Sequence, residues 1–391
     1  MSLNDDFKIK NVFHLVGEQT LPVYLAAIQF PSATKHYLLA TEKTKKSAER
    51  IGEALHLCGI TSEIKMLGKA HAALSYMNLL ETIKAIVKEA GEPQHGAFDL
   101  TGGTKLMAFA GLIAANTSGM PAFYVDSPEQ KFICVNRTNV EYPLESDMHL
   151  DDFVALSGLK LRKIRKKTLT VDIDLLEYMF QNAEKFQRYQ ATFAQIADNL
   201  TRRPADQKSA TTFETTYNEM TRNMRGWHGQ WETFCAVNGI EKKKAVQSQF
   251  LAGGWLEYYA YELVRGSDPR IKEVLINAEV TISRGNGDLP FQEFDVVYTD
   301  GYSLFILECK AGQIFQEYIQ KLENICSEYC GALGKCALVT MNSSKTENSR
   351  KARFAERVER SRAIAAFCGK GGIRQLQSGC SIEFKPGKIY E

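Results

Sequence analysis

Long apolar runs are missing from this 391-residue sequence, and so is an excess of either charge. No stretch of about 18 apolar residues occurs, which argues against a membrane-spanning helix. There are 48 lysines and arginines against 46 acidic residues, so the net charge is +2 and any nucleic-acid contact must come from local patches. The amino terminus shows no basic-then-apolar signal pattern. We therefore expect a cytoplasmic protein with no membrane contact.

Paired cysteine motifs are also missing. The nine cysteines form an odd set without any C-x-x-C pair, which argues against a compact disulfide framework and favours reduced thiols. The composition, 44% hydrophobic and 24% charged, is typical of a globular chain. A length of 391 residues suits two or three domains.

Short apolar runs alternate with longer helix-period segments from Asn11 to Ser127. This order predicts βαβ units and a parallel, Rossmann-like sheet of the α/β class. The segment Leu106 to Ala115 is apolar nearly all round, so we expect it to be buried on more than one side. A homodimer interface and a deep position against the sheet explain this equally well. Residues 131–135 and 140–144 predict an added β-hairpin.

Polar loops follow three of the predicted strands. Ligands of such sheets gather at the carboxyl ends of the strands, where helix amino termini offer free N–H groups. In the third loop, Gly102 and Gly103 let the backbone turn tightly and approach an anion. A structural turn that leads into a helix cap is an equal alternative. The loops contain Gly17, Glu18, Gln19 and Thr20, then Thr41, Glu42, Lys43 and Thr44, and then Asp99, Leu100, Thr101, Gly102, Gly103, Thr104 and Lys105.

The third loop matches no common phosphate motif. It is neither G-x-G-x-x-G nor G-x-x-x-x-G-K-[ST], which argues against a dinucleotide or a nucleoside triphosphate as ligand. Further along, the basic run Lys160 to Lys167 predicts a solvated linker, with a phosphate-contacting arm as the alternative. Residues 172–234 are helical by period and carry an aromatic stripe, which favours a helical connector whose stripe is core.

Two β-like runs, Glu293 to Tyr298 and Ser303 to Lys310, flank the dipeptide Asp300-Gly301, which predicts a hairpin. A loop of two or four residues pairs Asp295 with Ile306 and places Asp295, Glu308 and Lys310 on one face. An odd-length loop would place Asp295 on the opposite face.

Two carboxylates held close together on a half-buried face repel each other unless a cation or another partner offsets them. Mg²⁺ and Mn²⁺ prefer oxygen ligands, which suits Asp295, Glu308 and the backbone carbonyl of Cys309, with Lys310 positioning water. Solvated charges on an edge strand, with Lys310 as a salt-bridge partner, are the alternative.

The carboxyl-terminal part has the order helix, three strands, helix, strand. With the acidic residue Asp295 and the E-x-K of Glu308 and Lys310, it resembles the PD-(D/E)xK nuclease core. The resemblance implies that Asp295, Glu308 and Lys310 are catalytic and that Glu257 is the glutamate of the first helix. It also suggests a polar residue on the following helix, Gln320 or Lys321. The family's proline before the acidic residue is replaced by Phe294.

The segments after this core are charged or glycine-rich. Residues 345–362 predict a solvated helix face, with arginines that line a nucleic-acid groove as the alternative. Residues 369–372 predict a flexible turn, and the last residues predict a closing strand.

The amino-terminal domain, with D-L-T-G-G-T-K after its fourth strand, resembles the CRISPR-associated Rossmann-fold (CARF) sensors of type III CRISPR systems. The whole chain is similar to the CARF–nuclease fusions of that pathway. The resemblance implies a homodimer that binds a cyclic oligoadenylate across its dyad. It implies that the loops at Gly17 and Thr41 and the stretch Thr101 to Lys105 surround the ligand, while Asp99 supports the turn.

We therefore predict a CARF domain at residues 1–150, a linker and helical connector at 151–238, and a nuclease domain with a restriction-endonuclease-like αβββαβ core at 239–391. The predicted function is a Mn²⁺- or Mg²⁺-dependent endonuclease that is activated by a cyclic oligoadenylate, with cyclic tetra-adenylate favoured, in antiviral defence. Single-stranded DNA or RNA is the expected substrate. The alternative is a ligand-controlled nucleic-acid-binding regulator whose nuclease fold is silent.

Overall fold

The computed structural model describes residues 7–68, 76–138, 140–162, 169–224, 226–284, 287–312, 316–330, 333–342 and 349–391. Residues 163–167 of the predicted basic run and residues 345–348 of the predicted charged segment lie outside the described residues. The chain divides into two compact units. One comprises residues 1–161 and 282–288, and the other comprises residues 162–281 and 289–391. Within the described ranges, no helix is both long and apolar enough to span a membrane.

The first unit is built on a seven-stranded sheet with the order β3-β2-β1-β4-β5-β6-β7. Its first five strands are parallel and the last two are antiparallel, which confirms the predicted Rossmann-like sheet and the added hairpin. The strands are β1 (Asn11–Leu15), β2 (Lys35–Ala40), β3 (Ser62–Met66), β4 (Gly96–Asp99), β5 (Ala122–Asp126), β6 (Lys131–Cys134) and β7 (Glu141–Pro143).

Helices connect and cover these strands. β1 is buried along its whole length because it lies between β2 and β4 and is covered on both faces. The connecting helices are Leu21–Ile28, Lys45–Leu57, Tyr76–Ala90, Lys105–Thr117 and Leu150–Leu156, with a 3₁₀ turn at Pro93–His95. The strand order reverses direction between β1 and β4, which is where ligands of such sheets bind.

The second unit begins with helices and ends in a second sheet. Its helices are Ile173–Gln181, Ala183–Arg202, Gln207–Asn223, His228–Asn238, Lys244–Gln249, Trp255–Arg265, Gln316–Ile325, Ser349–Arg360, Gly369–Arg374 and Cys380–Glu383. Two π-helical segments, Phe250–Gly254 and Cys326–Cys330, and a 3₁₀ turn, Gln375–Ser378, join some of them. The Gly369–Arg374 helix shows that the predicted flexible turn at residues 369–372 is wrong.

The second sheet has the order β14-β13-β12-β11-β10-β9-β8. β10 and β11 are antiparallel, whereas β11, β12, β13 and β14 are parallel to one another. Its strands are β8 (Lys160–Arg162), β9 (Glu273–Arg284), β10 (Gly287–Thr299), β11 (Leu304–Lys310), β12 (Lys335–Thr340), β13 (Ile364–Cys368) and β14 (Ile389–Tyr390). The predicted order of helix, three strands, helix and strand is therefore confirmed.

The connector helices and the strands of the second sheet share one hydrophobic core. Trp227 and Trp231 are buried in the same cluster as Val296 and Leu307. The aromatic stripe is accordingly core and does not form an open stacking platform. Loss of the helical connector would expose the inner face of this sheet.

The predicted register of the β10–β11 hairpin is wrong by two residues. The structure pairs Val297 with Ile306 and Thr299 with Leu304, so the loop comprises residues 300–303. Its position is set by Asp300, whose Oδ1 accepts hydrogen bonds from the backbone N–H groups of Tyr302 (2.9 Å) and Ser303 (2.7 Å) within this four-residue loop. A shift of two residues preserves the side-chain alternation, so the predicted shared face survives.

Candidate functional sites in the two units

The sensor cavity of the first unit lies at the carboxyl ends of β1, β2 and β4 and has a volume of about 420 Å³. Nine of the twelve predicted ligand residues line it. They are Gly17, Glu18, Gln19, Thr41, Lys43, Thr101, Gly102, Gly103 and Thr104. Val16, Pro22, Thr44 and Met107 complete the lining. Thr20, Asp99 and Lys105 do not line the cavity, although the three predicted loops do converge.

The glycines of this cavity are close to backbone atoms. A Cβ on Gly102 would lie 2.0 Å from the carbonyl oxygen of Leu15, and one on Gly17 would lie 2.9 Å from the backbone nitrogen of Gly103. Gly103 has φ +77°, which side-chain-bearing residues rarely adopt. The backbones of the loops after β1 and β4 therefore pack directly against each other beside the cavity.

Asp99 supports the turn after β4, as the resemblance implies. It is fully buried, its Oδ1 accepts a hydrogen bond from the Thr101 N–H (2.9 Å), and its Oδ2 lies 3.0 Å from His14 Nδ1. His14 Nε2 in turn lies 3.0 Å from Nδ1 of His36, whose pKa burial and His14 lower to about 3. Sequence reasoning missed both histidines, because their partners come from other strands.

Replacing Gly102 by alanine is expected to destabilise the first unit by about 1–3 kcal/mol, because the new methyl group would overlap the Leu15 carbonyl oxygen and the Val23 side chain. Urea denaturation of the full chain would measure the loss. Gly229→Ala is the matched control, since a Cβ at Gly229 meets no atom within 4 Å. Equal stabilities for the two variants would contradict the close approach.

The cleft of the second unit contains every predicted catalytic side chain. It has a volume of about 720 Å³, and Glu257, Asp295, Glu308, Lys310 and Lys321 line it together. Glu257 comes from the helix Trp255–Arg265, Asp295 from β10, Glu308 and Lys310 from β11, and Lys321 from the helix Gln316–Ile325. Gln292 and Glu293, which sequence reasoning did not assign, also line the cleft.

Charged atoms in this cleft form a compact network. Lys310 Nζ lies 2.8 Å from Glu308 Oε1 and 3.5 Å from Asp295 Oδ2, and it donates to the backbone carbonyl of Cys309 at 3.1 Å. Lys321 Nζ lies 3.2 Å from Oε1 and 3.4 Å from Oε2 of Glu308. The predicted convergence of Asp295, Glu308 and Lys310 is therefore present, and Lys321 joins it.

Burial shifts the pKa values of the charged groups in this network. Burial, together with the neighbouring Glu308 carboxylate, raises the pKa of Asp295 to about 6, although the Cys309 N–H donates to Asp295 Oδ2 at 2.7 Å. Burial acts to lower the pKa of Lys310, but Asp295 and Glu308 outweigh it and raise that pKa. At Asp295, burial and the Glu308 carboxylate thus outweigh the opposing effect of Lys310 and Lys321 on the pKa.

This donor set fits a hard divalent cation. Asp295, Glu308 and the Cys309 carbonyl offer only oxygen atoms, the donor type that Mg²⁺ and Mn²⁺ prefer. The raised pKa of Asp295 indicates that the site favours added positive charge. The residue types that line the cleft therefore fit such an ion.

Two family models match the chain. Residues 12–153 match the Card1 CARF domain, and residues 243–357 match the Card1-like endonuclease domain. No curated protein matches the sequence.

Solved structures share the fold at low sequence identity. Protein VC1899 from Vibrio cholerae superposes with a TM-score of 0.69 at 13% identity, covering 94% of this chain and 96% of that chain. Can2 from Sulfobacillus thermosulfidooxidans, solved with cyclic tetra-adenylate, gives 0.66 at 18% identity, covering 94% and 98%. A type III CRISPR defence DNA nuclease activated by cyclic oligoadenylate gives 0.54 at 16% identity. This chain is covered to 97% but spans only 52% of that nuclease.

The CARF match lies within the first unit, and most of the endonuclease match lies in the second. The chain therefore belongs to the CARF-domain nuclease fusions, with a Card1 CARF domain followed by a Card1-like endonuclease domain.

Proposed function

We propose that the chain is a metal-dependent endonuclease activated by a cyclic oligoadenylate, most simply cyclic tetra-adenylate, in type III CRISPR defence. The observation that carries the proposal is the convergence of Asp295, Glu308 and Lys310 in one cleft of the endonuclease domain. The proposed division is a sensor at residues 1–150, a connector at 151–238 and a nuclease at 239–391.

The proposed reaction is in-line attack of water on a phosphodiester, leaving a 5′-phosphate and a 3′-hydroxyl. Asp295, Glu308 and the Cys309 carbonyl would hold Mg²⁺ or Mn²⁺, and the chemistry supplied by such a cation is polarisation of phosphate oxygens and a lower pKa of the attacking water. The remaining contributions come from the chain's own side chains.

Lys310 is held in place for this reaction. Its ammonium group has three donors, of which Glu308 and the Cys309 carbonyl engage two at 2.8 and 3.1 Å. Asp295 Oδ2, at 3.5 Å, is a weak third acceptor, so this donor is available to orient water or a phosphate oxygen. Glu257 lines the same cleft and supplies a further carboxylate for water or a second cation.

Support for the activator comes from the sensor cavity. Lys43 and the backbone of Gly102 and Gly103 line it, which suits an anion with several phosphates. The similar Can2 structure contains cyclic tetra-adenylate, and the similar type III nuclease is described as activated by cyclic oligoadenylate. The ligand can activate cleavage only by binding the active arrangement more tightly than the resting one.

The experiment that tests the function is one activity panel. Labelled single- and double-stranded DNA and RNA are incubated with the full chain and Mn²⁺, with and without cyclic tri-, tetra- or hexa-adenylate. We expect cleavage of single-stranded DNA or RNA that depends on both Mn²⁺ and cyclic tetra-adenylate. A protein that binds nucleic acid sequence-specifically and cleaves none of these substrates would instead be the silent regulator.

Lys43→Ala is expected to raise the activator concentration for half-maximal cleavage by about tenfold, because one charge-assisted hydrogen bond to phosphate is lost. The maximal rate should stay unchanged. Lys43 forms an ion pair with Glu18 in the cavity wall, and phosphate would compete with that carboxylate. Activator titrations measure the shift, with Lys84→Ala, an exposed lysine on the helix Tyr76–Ala90, as the control. If the activator concentration for half-maximal cleavage does not change, Lys43 does not bind the activator.

A homodimer through the sensor domain is also part of the proposal. The helix Lys105–Thr117 exposes Leu106, Phe109 and Ile113, with 59% of Phe109 exposed, and Tyr124 and Val135 are exposed on the same domain. The segment Leu106 to Ala115 is therefore not covered by its own unit on all sides. An uncovered apolar face of this kind favours the dimer over the deep position against the sheet.

Phe109→Glu is expected to convert the dimer to monomers, because a buried unpaired carboxylate in an apolar interface is strongly unfavourable. Sedimentation velocity of the full chain at micromolar concentration would measure this. Leu57→Glu is the matched control, since Leu57 is 63% exposed on another helix of the same unit. If both variants sediment as the unmodified chain does, the helix Lys105–Thr117 is not the interface.

A further inference from the structure

Three buried cysteines converge in the second unit, two of them just after the helix Gln316–Ile325 and one on β12. The Sγ atoms of Cys326, Cys330 and Cys336 all lie within 4.8 Å of one another, and Cys330 Sγ is 3.7 Å from Cys336 Sγ. All three thiols are free. In the described part of the chain, this is the one cluster of three or more cysteine, histidine or carboxylate side chains with metal-like spacing. The proposed nuclease chemistry uses none of these residues.

The local fold brings the three sulfurs together. Cys326 and Cys330 begin and end the π-helical segment, so a spacing of four residues places both on one face. The chain then returns to β12, whose second residue is Cys336. The return depends on Gly334, where a Cβ would lie 2.3 Å from the Cβ of Cys330. Glycine thus lets the strand start close enough for the third thiol to meet the other two.

The sulfur spacing matches a metal site better than a disulfide. A disulfide requires about 2.05 Å between sulfurs. With zinc–sulfur bonds of about 2.3 Å, the edge of a tetrahedron is about 3.8 Å. The 3.7 Å between Cys330 and Cys336 is close to that edge, and the whole set needs only small movements to surround one ion.

The atoms around the three cysteine sulfurs favour a soft metal ion over a hard one. The polar atoms within reach of Cys326 Sγ are the carbonyl oxygens of Gly334 and Ala363, each at 3.9 Å. No fourth cysteine, histidine or carboxylate joins the cluster among the described residues. Three thiolates without a carboxylate favour ions such as Zn²⁺ or Cu⁺ and disfavour the Mg²⁺ or Mn²⁺ that suits the cleft.

We propose that Cys326, Cys330 and Cys336 form a structural site for one thiophilic d¹⁰ metal ion, Zn²⁺ or Cu⁺. Binding replaces each S–H proton by a metal–sulfur bond and releases up to three protons to solvent, without any change of oxidation state. This proposal does not depend on the proposed nuclease function.

The ion would connect the end of the helix Gln316–Ile325 to β12, and both elements pack near the cleft residue Glu308. Cys326 and Cys330 follow directly after the helix whose Lys321 contacts Glu308, and Cys336 pairs with Ile306 on the strand that carries Glu308. The ion therefore links the end of that helix to β12. It positions Lys321 indirectly and takes no part in the reaction.

The test uses the full chain, kept reduced with a metal-free phosphine and stripped with chelator. Elemental analysis before stripping distinguishes zinc from copper. The stripped protein is then titrated with Cd²⁺, whose thiolate charge-transfer absorption in the near ultraviolet reports sulfur ligation and not carboxylate binding in the cleft. We expect one equivalent of Cd²⁺ per chain to give this band, and Zn²⁺ to abolish it by competition. We also expect Zn²⁺ to raise the melting temperature of the stripped protein.

Matched variants locate the site. Cys330→Ser and Cys336→Ser should each lose most of the band, whereas Cys235→Ser and Cys368→Ser, which alter buried thiols elsewhere, should keep it. If a serine variant fails to fold, Cys326→Ala gives an apolar replacement for the same test. A folded, reduced protein without the band would overturn the proposal. A band that persists in all three cluster variants would overturn it as well.

Discussion

Replacing Glu308 by glutamine is expected to lower activator-dependent cleavage by about a thousandfold or more, since a preorganised charged group at the reacting centre is lost. Glu308 is almost fully buried, and it contacts both Lys310 (2.8 Å) and Lys321 (3.2 Å). A neutral amide keeps the shape of this side chain but removes the charge that holds both lysines. Binding of cyclic tetra-adenylate should be unchanged, because the sensor cavity is built from other residues.

Single-turnover cleavage at saturating activator and Mn²⁺ measures the rate, and calorimetric titration measures activator binding. Glu323→Gln is the control, because Glu323 lies on the same helix as Lys321 but pairs with Arg357 at 3.1 Å instead of with the cleft residues. A Glu308→Gln variant that cleaves at the unmodified rate would show that the cleft is not the nuclease centre.

Replacing Asp295 by asparagine is expected to abolish cleavage and yet stabilise the metal-free protein at pH 8 by at most about 3 kcal/mol. Burial and the Glu308 carboxylate raise the pKa of Asp295 from 3.8 to about 6, so the folded state holds this proton more tightly than the unfolded state does. The corresponding stability is present below pH 3.8 and is lost as the pH rises through 6. At pH 8 the ionised Asp295 carboxylate therefore lowers the free energy of unfolding, and asparagine, which is neutral, removes this effect.

Urea denaturation in the presence of chelator, at pH 8 and at pH 4, measures this effect. The difference between the two proteins should shrink towards zero at pH 4, where Asp295 is already protonated. Mn²⁺ should then stabilise the unmodified protein more than the variant, because it binds an ionised carboxylate. An asparagine variant that is less stable at pH 8 would mean that Lys310 already compensates Asp295 completely.

The sequence predicts the α/β architecture because strand-like and helix-like segments alternate along it. It also predicts the shared face of the nuclease site because side chains alternate between the two faces of a strand. Strand and helix periods gave the order of elements, and a two-residue side-chain period placed Asp295, Glu308 and Lys310 together. The even loop length was predicted, but the register failed because the position of the loop depends on one side chain, Asp300, which accepts hydrogen bonds from two backbone N–H groups. No periodicity encodes such a contact.

The remaining features that the sequence did not predict depend on contacts between residues far apart in the chain. The His14–Asp99 pair and the cluster of Cys326, Cys330 and Cys336 join residues whose neighbours in space are set by strand order and by a close approach at Gly334. Isolated histidines and cysteines carry no sequence spacing that would indicate these partners. They could be found only once the chain was folded.

The π-helical segment Phe250–Gly254 precedes the helix that carries Glu257, and the chain kinks there at Gly253, whose φ is +153°. Residues on both sides of the kink, Val246 and Glu257 among them, line the nuclease cleft. The shape of this wall is therefore decided by a backbone torsion that glycine alone adopts readily, and not by the size of any side chain. A side chain at position 253 would therefore strain the backbone between two lining segments of the cleft, so the cleft has a sensitive position that carries no charge.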